Sequence, residues 1–166
     1  LDAAKLNSGA KVFLYKVSNP ESYGVAKINK QNKIISIKEK PKKFFSDFAI
    51  TGLYFFDNKV IRYSKTLKPS KRGEVEITDL LNKYKKNGKL KAGFIGRGGA
   101  WLDTGTIDDF YKTSAFVSSI ENRQGLKIAC LEEIALTNKW IGKKEINNSI
   151  KFYGNCLYSQ YLKKLI

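Results

Sequence analysis

The segment 96-GRGGAWLDTGT-106 contains four glycines and a single carboxylate, Asp103, in a chain otherwise rich in lysine. It follows the strand-like 89–96, and the spacing of 106-TIDD-109 predicts an acidic capping box for a helix running to about Gly125. Asp103 is therefore expected in a strand-to-helix turn, where ligands of open α/β folds collect. Two interpretations are open: a structural turn, or a carboxylate that faces a metal or phosphate.

Two further charged residues, Glu39 and Lys40, stand at the end of the second strand of a predicted β-hairpin. Its strands are 23-YGVAKIN-29 and 33-KIISIKEK-40. Strict alternation places Ile35 and Ile37 on one face with Glu39, and Lys40 on the other; Pro41 then stops the strand. The pair is typical either of surface charges at a strand end or of groups that bind a polar ligand.

A third charged group, Arg72, lies in the loop 72-RGE-74 before a predicted amphipathic helix. The helix is predicted from one apolar stripe and a glycine stop: Ile77, Leu80, Leu81, Tyr84 and Gly88.

Composition limits the chemistry that these residues can perform. The 166 residues include no histidine, so histidine bases, nucleophiles and metal ligands are excluded. Cys130 and Cys156 lack metal-ligand spacing and are expected to be reduced thiols. Any metal would need oxygen ligands, which indicates magnesium-type chemistry. No secretory signal or membrane-length apolar run is present, so we expect a cytoplasmic protein without membrane contacts.

The formal charge of +16 raises nucleic acid as a partner. Lysine supplies 27 of the 31 cationic side chains, and base recognition favours the planar fork of arginine. The aromatic residues also fall in apolar rows and not in an arginine-aromatic strip. We therefore expect no nucleic-acid partner, although a basic binding module is the rival hypothesis.

The segments that position these charged groups have the sequence pattern of an α/β fold. Strand-like 11–17 and the hairpin precede 48-FAITGLYFFD-57, which is apolar on both faces, as in a strand buried in a covered sheet. Helix-like 58–67 follows, so strands and helices alternate. Gly52 indicates either close approach of a backbone or ligand, or packing against a helix.

The sequence pattern of residues 126–166 predicts helices joined by a bend at 140-WIG-142. Tyr158, Tyr161, Leu162 and Leu165 form an apolar stripe that is more typical of a docking or subunit surface than of a ligand pocket.

Eight segments, taken in order, resemble the sugar-1-phosphate nucleotidylyltransferases, and among these most closely the glucose-1-phosphate thymidylyltransferases. The segments cover nearly the whole chain and are 8-SGAKVF-13, 19-NPESYGVA-26, 38-KEKP-41, 50-ITGLYFFD-57, 68-KPSKRGEVEITD-79, 96-GRGGAWLDTGT-106, 121-ENRQGLKIACLEEIA-135 and 153-YGNCLYSQYL-162. The resemblance implies a Rossmann-like mixed β-sheet layered with helices, of the nucleotide-diphospho-sugar transferase type, with a helical C-terminal segment. It implies a sugar-phosphate part at 1–125 and an oligomerisation or regulatory segment at 126–166.

The resemblance also implies roles for individual residues. Asp103 corresponds to a magnesium-binding aspartate, and Lys40 and Arg72 to contacts with the sugar phosphate. Glu39 corresponds to the acceptor for sugar hydroxyls. The sugar pocket would be completed by Tyr23, Gly24, Ile50, Thr51, Tyr54 and Trp101. A regulatory nucleotide site would use Arg97, Ile128, Glu133 and Ile134.

The implied reaction is magnesium-dependent transfer of a thymidylyl group from dTTP to glucose-1-phosphate, giving dTDP-glucose and pyrophosphate for deoxysugar and cell-surface polysaccharide synthesis. The nearest alternative is uridylyl transfer. The resemblance implies a homo-oligomer, a tetramer, as the assembly. The nucleophile is an ionised phosphate, so the lack of histidine is no obstacle.

The family's glycine-rich nucleotide loop with its arginine has no counterpart in this sequence, nor does the first magnesium-binding aspartate. We therefore expect a fragment with little turnover alone. Three departures from the family pattern, at Gly99, Ile107 and Leu131, affect the surroundings of the Asp103 turn and the regulatory side.

Overall fold

The computed structural model describes residues 5–166, and the chain forms two compact units. The first unit runs to Trp101, and the second spans Leu102–Ile166. The predicted boundary after residue 125 therefore falls inside the second unit, since the helix that precedes it groups with the later helices.

The first unit contains a mixed five-stranded sheet, as the α/β pattern predicts. Its strands are β1 Ala10–Lys16, β2 Val25–Ile28, β3 Ile34–Lys38, β4 Phe48–Phe56 and β5 Leu90–Phe94. The order across the sheet is β3-β2-β4-β1-β5. β1 and β5 are parallel, whereas the other neighbouring pairs are antiparallel.

A bulge in β3 makes the predicted alternation wrong for this strand. Lys27 pairs with Ser36 and Ile28 pairs with Ile34, so Ile35 is an extra residue on the β3 side. Ile34 and Ile37 are both buried, whereas Ile35 is 49% exposed. Because of the extra residue, Ile34 and not Ile35 shares the buried face with Ile37. Strict alternation cannot predict this change.

Gly52 lies in a second irregularity, between the pairs Val12–Tyr54 and Leu14–Ile50 of β1 and β4. Its φ is +80°, and apart from Gly52 and its two chain neighbours no residue among 5–166 has an atom within 4 Å of the site where a Cβ would stand. Packing against a helix therefore does not explain this glycine. The backbone conformation does, because L-residues avoid positive φ. The strand is also less buried than predicted, since Leu53 is 48% exposed.

Two helices complete the first unit, α1 Lys59–Ser64 and α2 Ile77–Lys86. Three residues of the predicted stripe are buried on α2, Leu80, Leu81 and Tyr84, whereas Ile77 is 37% exposed. Thr78, which is not part of the stripe, is buried as well. Leu81 packs against the sheet with Val12, Leu14, Ala26, Ile34, Ile37 and Ile50.

The second unit is helical: α3 Ile107–Gln124, α4 Leu131–Thr137, α5 Lys143–Tyr153 and α6 Leu157–Lys163. The predicted capping of α3 is confirmed, because Thr106 Oγ1 accepts a hydrogen bond from the Asp109 N–H at 3.1 Å. The unit's core consists of Cys130, Ile146, Tyr161 and Leu162, with Tyr158 and Leu165 packed against it. The residues of the apolar stripe near the C-terminus therefore pack against the core of their own unit, with Tyr161 and Leu162 buried. Among residues 5–166 no helix is long and apolar enough to cross a bilayer.

Candidate functional site

The predicted sugar-pocket residues meet where β2 begins, beside the end of β3 and the start of β4. The Lys40 N–H donates to the Tyr23 carbonyl at 3.1 Å, and the Ile50 N–H donates to the Gly24 carbonyl at 2.8 Å. These bonds fix the Tyr23-Gly24 backbone between two strands, so the side chains around it have defined positions.

Gly24 allows Glu39 to lie directly against the backbone. A Cβ at position 24 would stand 2.9 Å from Glu39 Oε2 and 3.0 Å from Thr78 Cγ2, closer than real side chains approach. Thr78 is buried on the first turn of α2, whereas 21% of the Glu39 side chain is exposed. Glycine at position 24 thus makes room for the Glu39 carboxylate itself, and the exposed part of that side chain can accept a hydrogen bond from a polar ligand.

Arg72 lies among three carboxylates. Its Nη1 is 4.0 Å from Glu39 Oε1 and 3.6 Å from Glu76 Oε1, and its Nη2 is 3.4 Å from Glu74 Oε2. Ser70 donates a hydrogen bond to Glu76 Oε1 at 3.0 Å, which holds that carboxylate in place. The guanidinium side chain is 41% exposed. Arg72 can therefore face an incoming anion while its orientation is set from within the protein.

Burial raises the pKa of Glu39 above its ordinary 4.5, and the neighbouring Glu76 charge raises it further. The side chain of Thr78 and the charges of Lys40 and Arg72 act in the opposite direction. Burial also raises the pKa of Tyr54, with the Glu39 charge as the second cause. The site thus holds a partly desolvated carboxylate, which binds a hydroxyl more strongly than a carboxylate in bulk water.

Aromatic rings form one wall of the site. The ring of Trp101 lies 5.1 Å from that of Tyr23 and 6.0 Å from that of Tyr15, both centroid to centroid. Trp101 Nε1 donates to the Thr51 carbonyl at 3.0 Å, and Thr51 Oγ1 donates to the Phe13 carbonyl at 3.1 Å. The glycine-rich segment after β5 is therefore anchored to β4 through Trp101.

Lys40 adds a cation at the rim. Its φ of +35° is unusual for a residue other than glycine, and its side chain is exposed. Backbone conformations of this kind concentrate at functional sites. Of the residues predicted for the sugar side, the first unit thus brings together all nine: Tyr23, Gly24, Glu39, Lys40, Ile50, Thr51, Tyr54, Arg72 and Trp101.

Sequence reasoning missed Glu76 and Thr78, which support the site from the start of α2. Glu76 has a side chain only 10% exposed, unusual for a carboxylate unless it is paired. The available signal was its position immediately before the apolar stripe that starts at Ile77, where acidic residues favour a helix N-terminus.

Asp103 belongs to the second unit. It is exposed and lies three residues before Thr106, the residue that caps α3. A Cβ on Gly105 would stand 3.2 Å from Asp103 Oδ2, so glycine keeps space beside the carboxylate. Among residues 5–166 no group of three or more Asp, Glu, Cys or His side chains could enclose a metal. Mg²⁺ fits such a single carboxylate, because it keeps several waters and is completed by substrate phosphates.

The predicted regulatory residues fall in both units. Arg97 belongs to the first unit, and Ile128, Glu133 and Ile134 belong to the second. The Ile128 N–H donates to Glu121 Oε1 at 2.9 Å, and Tyr161 donates to Glu133 Oε2 at 2.5 Å. Both of these hydrogen bonds lie within the second unit.

The sequence was compared with protein families and curated proteins. Residues 2–120 match the family described as nucleotidyl transferase. The chain is 45% identical over 164 residues to a glucose-1-phosphate thymidylyltransferase of Neisseria meningitidis, covering 99% of this chain and 57% of that protein. It is also 45% identical over 157 residues to the enzyme of that name from Xanthomonas campestris, covering 95% and 53%. The chain thus spans little more than half the length of these relatives.

Solved structures with the same fold were also found. One from Bacillus anthracis, assigned by name to glucose-1-phosphate thymidylyltransferase and in complex with a sucrose, is 45% identical. It superposes with a TM-score of 0.61 over 69% of this chain and 46% of that chain. A UDP-glucose pyrophosphorylase complexed with UDP-glucose gives a TM-score of 0.60 at 23% identity, covering 67% and 44%. The second likeness concerns the fold alone.

Proposed function

The chain belongs to the nucleotidyl transferase family, and from that premise we propose that it supplies the sugar-phosphate side of a glucose-1-phosphate thymidylyltransferase. The reaction is magnesium-dependent transfer of a thymidylyl group from dTTP to glucose-1-phosphate. The products are dTDP-glucose and pyrophosphate. The curated relatives at 45% identity carry this name and support the choice of substrates.

The observation that carries the proposal is the pairing of Glu39 with Arg72, with the Glu39 carboxylate lying against Gly24. Glu39 is a desolvated acceptor for sugar hydroxyls, and Arg72, 4.0 Å away, is a donor for a phosphate. A sugar that leaves the Glu39 carboxylate unpaired would be rejected, because an unsatisfied buried acceptor is costly. Trp101 and Tyr23 provide an apolar wall for the sugar ring.

In the proposed reaction a phosphate oxygen of glucose-1-phosphate attacks the α-phosphorus of dTTP, and the bond to pyrophosphate breaks. Both reactants are anions, so they must be held together against their repulsion. Arg72 alone is outnumbered by Glu39, Glu74 and Glu76. The phosphate therefore needs a second cation, and Lys40 at the rim is placed for this role.

Asp103 is the residue that would hold magnesium, with Gly105 keeping the space beside its carboxylate open. When bound, the ion supplies charge neutralisation on the phosphates. We further propose that the whole protein is a homotetramer with a regulatory nucleotide site that uses Arg97, Ile128, Glu133 and Ile134.

Binding of the sugar phosphate tests the proposal on this chain. We expect glucose-1-phosphate to bind in a calorimetric titration, and Arg72→Gln and Glu39→Gln each to weaken binding about tenfold or more, a loss of roughly 1.4 kcal/mol. The matched control is Lys71→Gln, which removes a neighbouring charge outside the site and should change affinity less than about twofold. Equal losses in all three variants would contradict the proposed site.

Activity is tested after joining the chain to the portion of the Neisseria relative that it does not span. We expect pyrophosphate release with dTTP, glucose-1-phosphate and Mg²⁺, and slower release with UTP. Release only with UTP would replace thymidylyl by uridylyl transfer. No release with any nucleotide and sugar phosphate would overturn the proposal.

A further inference from the structure

A groove of about 610 Å³ in the first unit lies outside the candidate site and is lined by four lysines. Its walls are Lys5, Leu6, Asn7, Ser8, Lys11, Gly88, Lys89 and Lys91. We propose that this lysine groove binds a compact polyphosphate anion, either inorganic di- or triphosphate or the phosphate chain of a nucleotide.

Hydrogen bonds fix the backbone next to the groove. The Ala10 N–H donates to the Lys89 carbonyl at 2.8 Å, and a Cβ on Gly9 would stand only 2.4 Å from that same oxygen. The φ of Gly9 is +91°, so glycine is needed there for both reasons. The Gly9 N–H in turn donates to Asp57 Oδ2 at 2.7 Å. The turn after α2 and the start of β1 are therefore held together before any ligand arrives.

Two of the groove lysines are neighbours on the sheet, and none of the four has an acidic partner among the residues that the structure describes. Lys11 and Lys91 are register partners on the parallel strands β1 and β5, and like charges side by side on a sheet are destabilising. None of the ion pairs between residues 5 and 166 includes a lysine of the groove. Lys11 is held in place, since its Nζ lies 5.4 Å from the centre of the Phe13 ring. A multivalent anion would relieve this repulsion.

The lining favours phosphates over a nucleic-acid strand. None of the eight described residues that line the groove is an arginine or an aromatic residue, so they provide neither the fork that reads bases nor the platform on which bases stack. Lysine binds phosphate as a point charge, and Asn7 and Ser8 add polar side chains. The volume lies within the range of small-molecule sites.

The groove is separate from the candidate site. It lies at the N-terminal ends of β1 and β5, where Ala10 pairs with Leu90. The aromatic wall of the candidate site contacts β1 at Tyr15, near its C-terminal end.

The test is a calorimetric titration of the 166-residue chain with sodium triphosphate in EDTA, so that no metal contributes. We expect saturable binding that Lys11→Gln/Lys91→Gln weakens about tenfold. The matched control Lys27→Gln/Lys30→Gln removes two exposed charges from the β-hairpin and should change affinity less than about twofold. The Lys11→Gln/Lys91→Gln variant leaves the candidate site intact, so its affinity for glucose-1-phosphate should stay within about twofold of that of the unmutated chain, which separates this result from failure of the proposed function.

Amide NMR spectra keep the test informative if a variant is unstable. Shifts on titrating the unmutated chain should concentrate at Asn7, Ser8, Gly88 and Lys89. Equal affinity for triphosphate and dTTP would show that the groove accepts the phosphate chain of a nucleotide. Weaker binding of dTTP would favour the inorganic anion. Either result supports the proposal. No saturable binding, equal losses in both double variants, or tighter binding of a single-stranded oligonucleotide that displaces triphosphate would overturn it.

Discussion

Glu76 is buried beside two residues that were predicted for the candidate site. Its Oε1 accepts from Ser70 and lies 3.6 Å from Arg72 Nη1. Its charge also raises the pKa of Glu39, second only to burial as a cause. Glu76 therefore helps to hold Arg72 and Glu39 in position, and in the proposed function it is a positioning residue for the sugar-phosphate site.

Glu76→Gln should lower the pKa of Glu39 toward its ordinary 4.5, because one nearby negative charge is lost while burial persists. Glutamine keeps an acceptor for Ser70, so the loop before α2 should retain its conformation. The measurement is a ¹³C NMR titration of the Glu39 carboxyl. Glu74→Gln is the matched control, since Glu74 contacts the same arginine but is not among the causes of the Glu39 shift. The same pKa change in both variants would refute a specific role for Glu76.

At the scale of elements, the sequence predicted what depends on local pattern. The hairpin, the capped α3 and the stripe of α2 follow from turn residues, a Thr-x-x-Asp spacing and helical periodicity. The bulge at Ile35 and the exposure of Leu53 on β4 depend on which strands become neighbours, which no local pattern encodes. The same distinction separates the site residues that were predicted from those that were missed. Its end-of-strand charges were recognised, but Glu76 and Thr78 reach Glu39 only through the packing of α2.

Asp57 joins three elements at the end of β4. Its carboxylate accepts from the Gly9 N–H at 2.7 Å before β1, from the Tyr84 hydroxyl at 2.8 Å on α2 and from the Lys59 N–H at 3.1 Å on α1. The bond from Gly9 is the largest cause that lowers the pKa of Asp57 below its ordinary 3.8. Tyr84 is almost fully buried, so its hydroxyl has no ready replacement partner in water.

Asp57→Asn should lower the free energy of unfolding at pH 7 by about 1–3 kcal/mol, because an amide cannot accept all three bonds. A lowered carboxyl pKa contributes stability that is present above pH 3.8 and lost as the pH falls through the folded-state value. The difference between the unmutated chain and the variant should therefore shrink in acid, as measured by urea unfolding at a series of pH values. Asp108→Asn, an exposed carboxylate, should cost less than about 0.5 kcal/mol. A difference independent of pH would contradict the role of the Asp57 charge.

For the whole molecule, 31 cationic and 15 acidic side chains give a formal charge of +16, which destabilises the folded chain through self-repulsion. The lysine groove concentrates part of this charge, since Lys11 and Lys91 are neighbours without acidic partners among residues 5–166. The repulsion that favours an anionic ligand there should also limit stability when no anion is bound.

Raising NaCl from about 10 mM to about 0.1 M shortens the Debye length from about 30 Å to about 10 Å. We expect the thermal midpoint to rise by roughly 2–4 °C, the shift that about 1 kcal/mol produces in a chain of this size. Lys11→Gln/Lys91→Gln should raise the thermal midpoint at low salt and make it less sensitive to salt. The control Lys27→Gln/Lys30→Gln should have smaller effects, because Lys11 and Lys91 are register partners whereas Lys27 and Lys30 are exposed side chains of the β-hairpin. A midpoint that falls with salt, or equal effects of the two double variants, would show that the groove lysines do not repel one another as their positions imply.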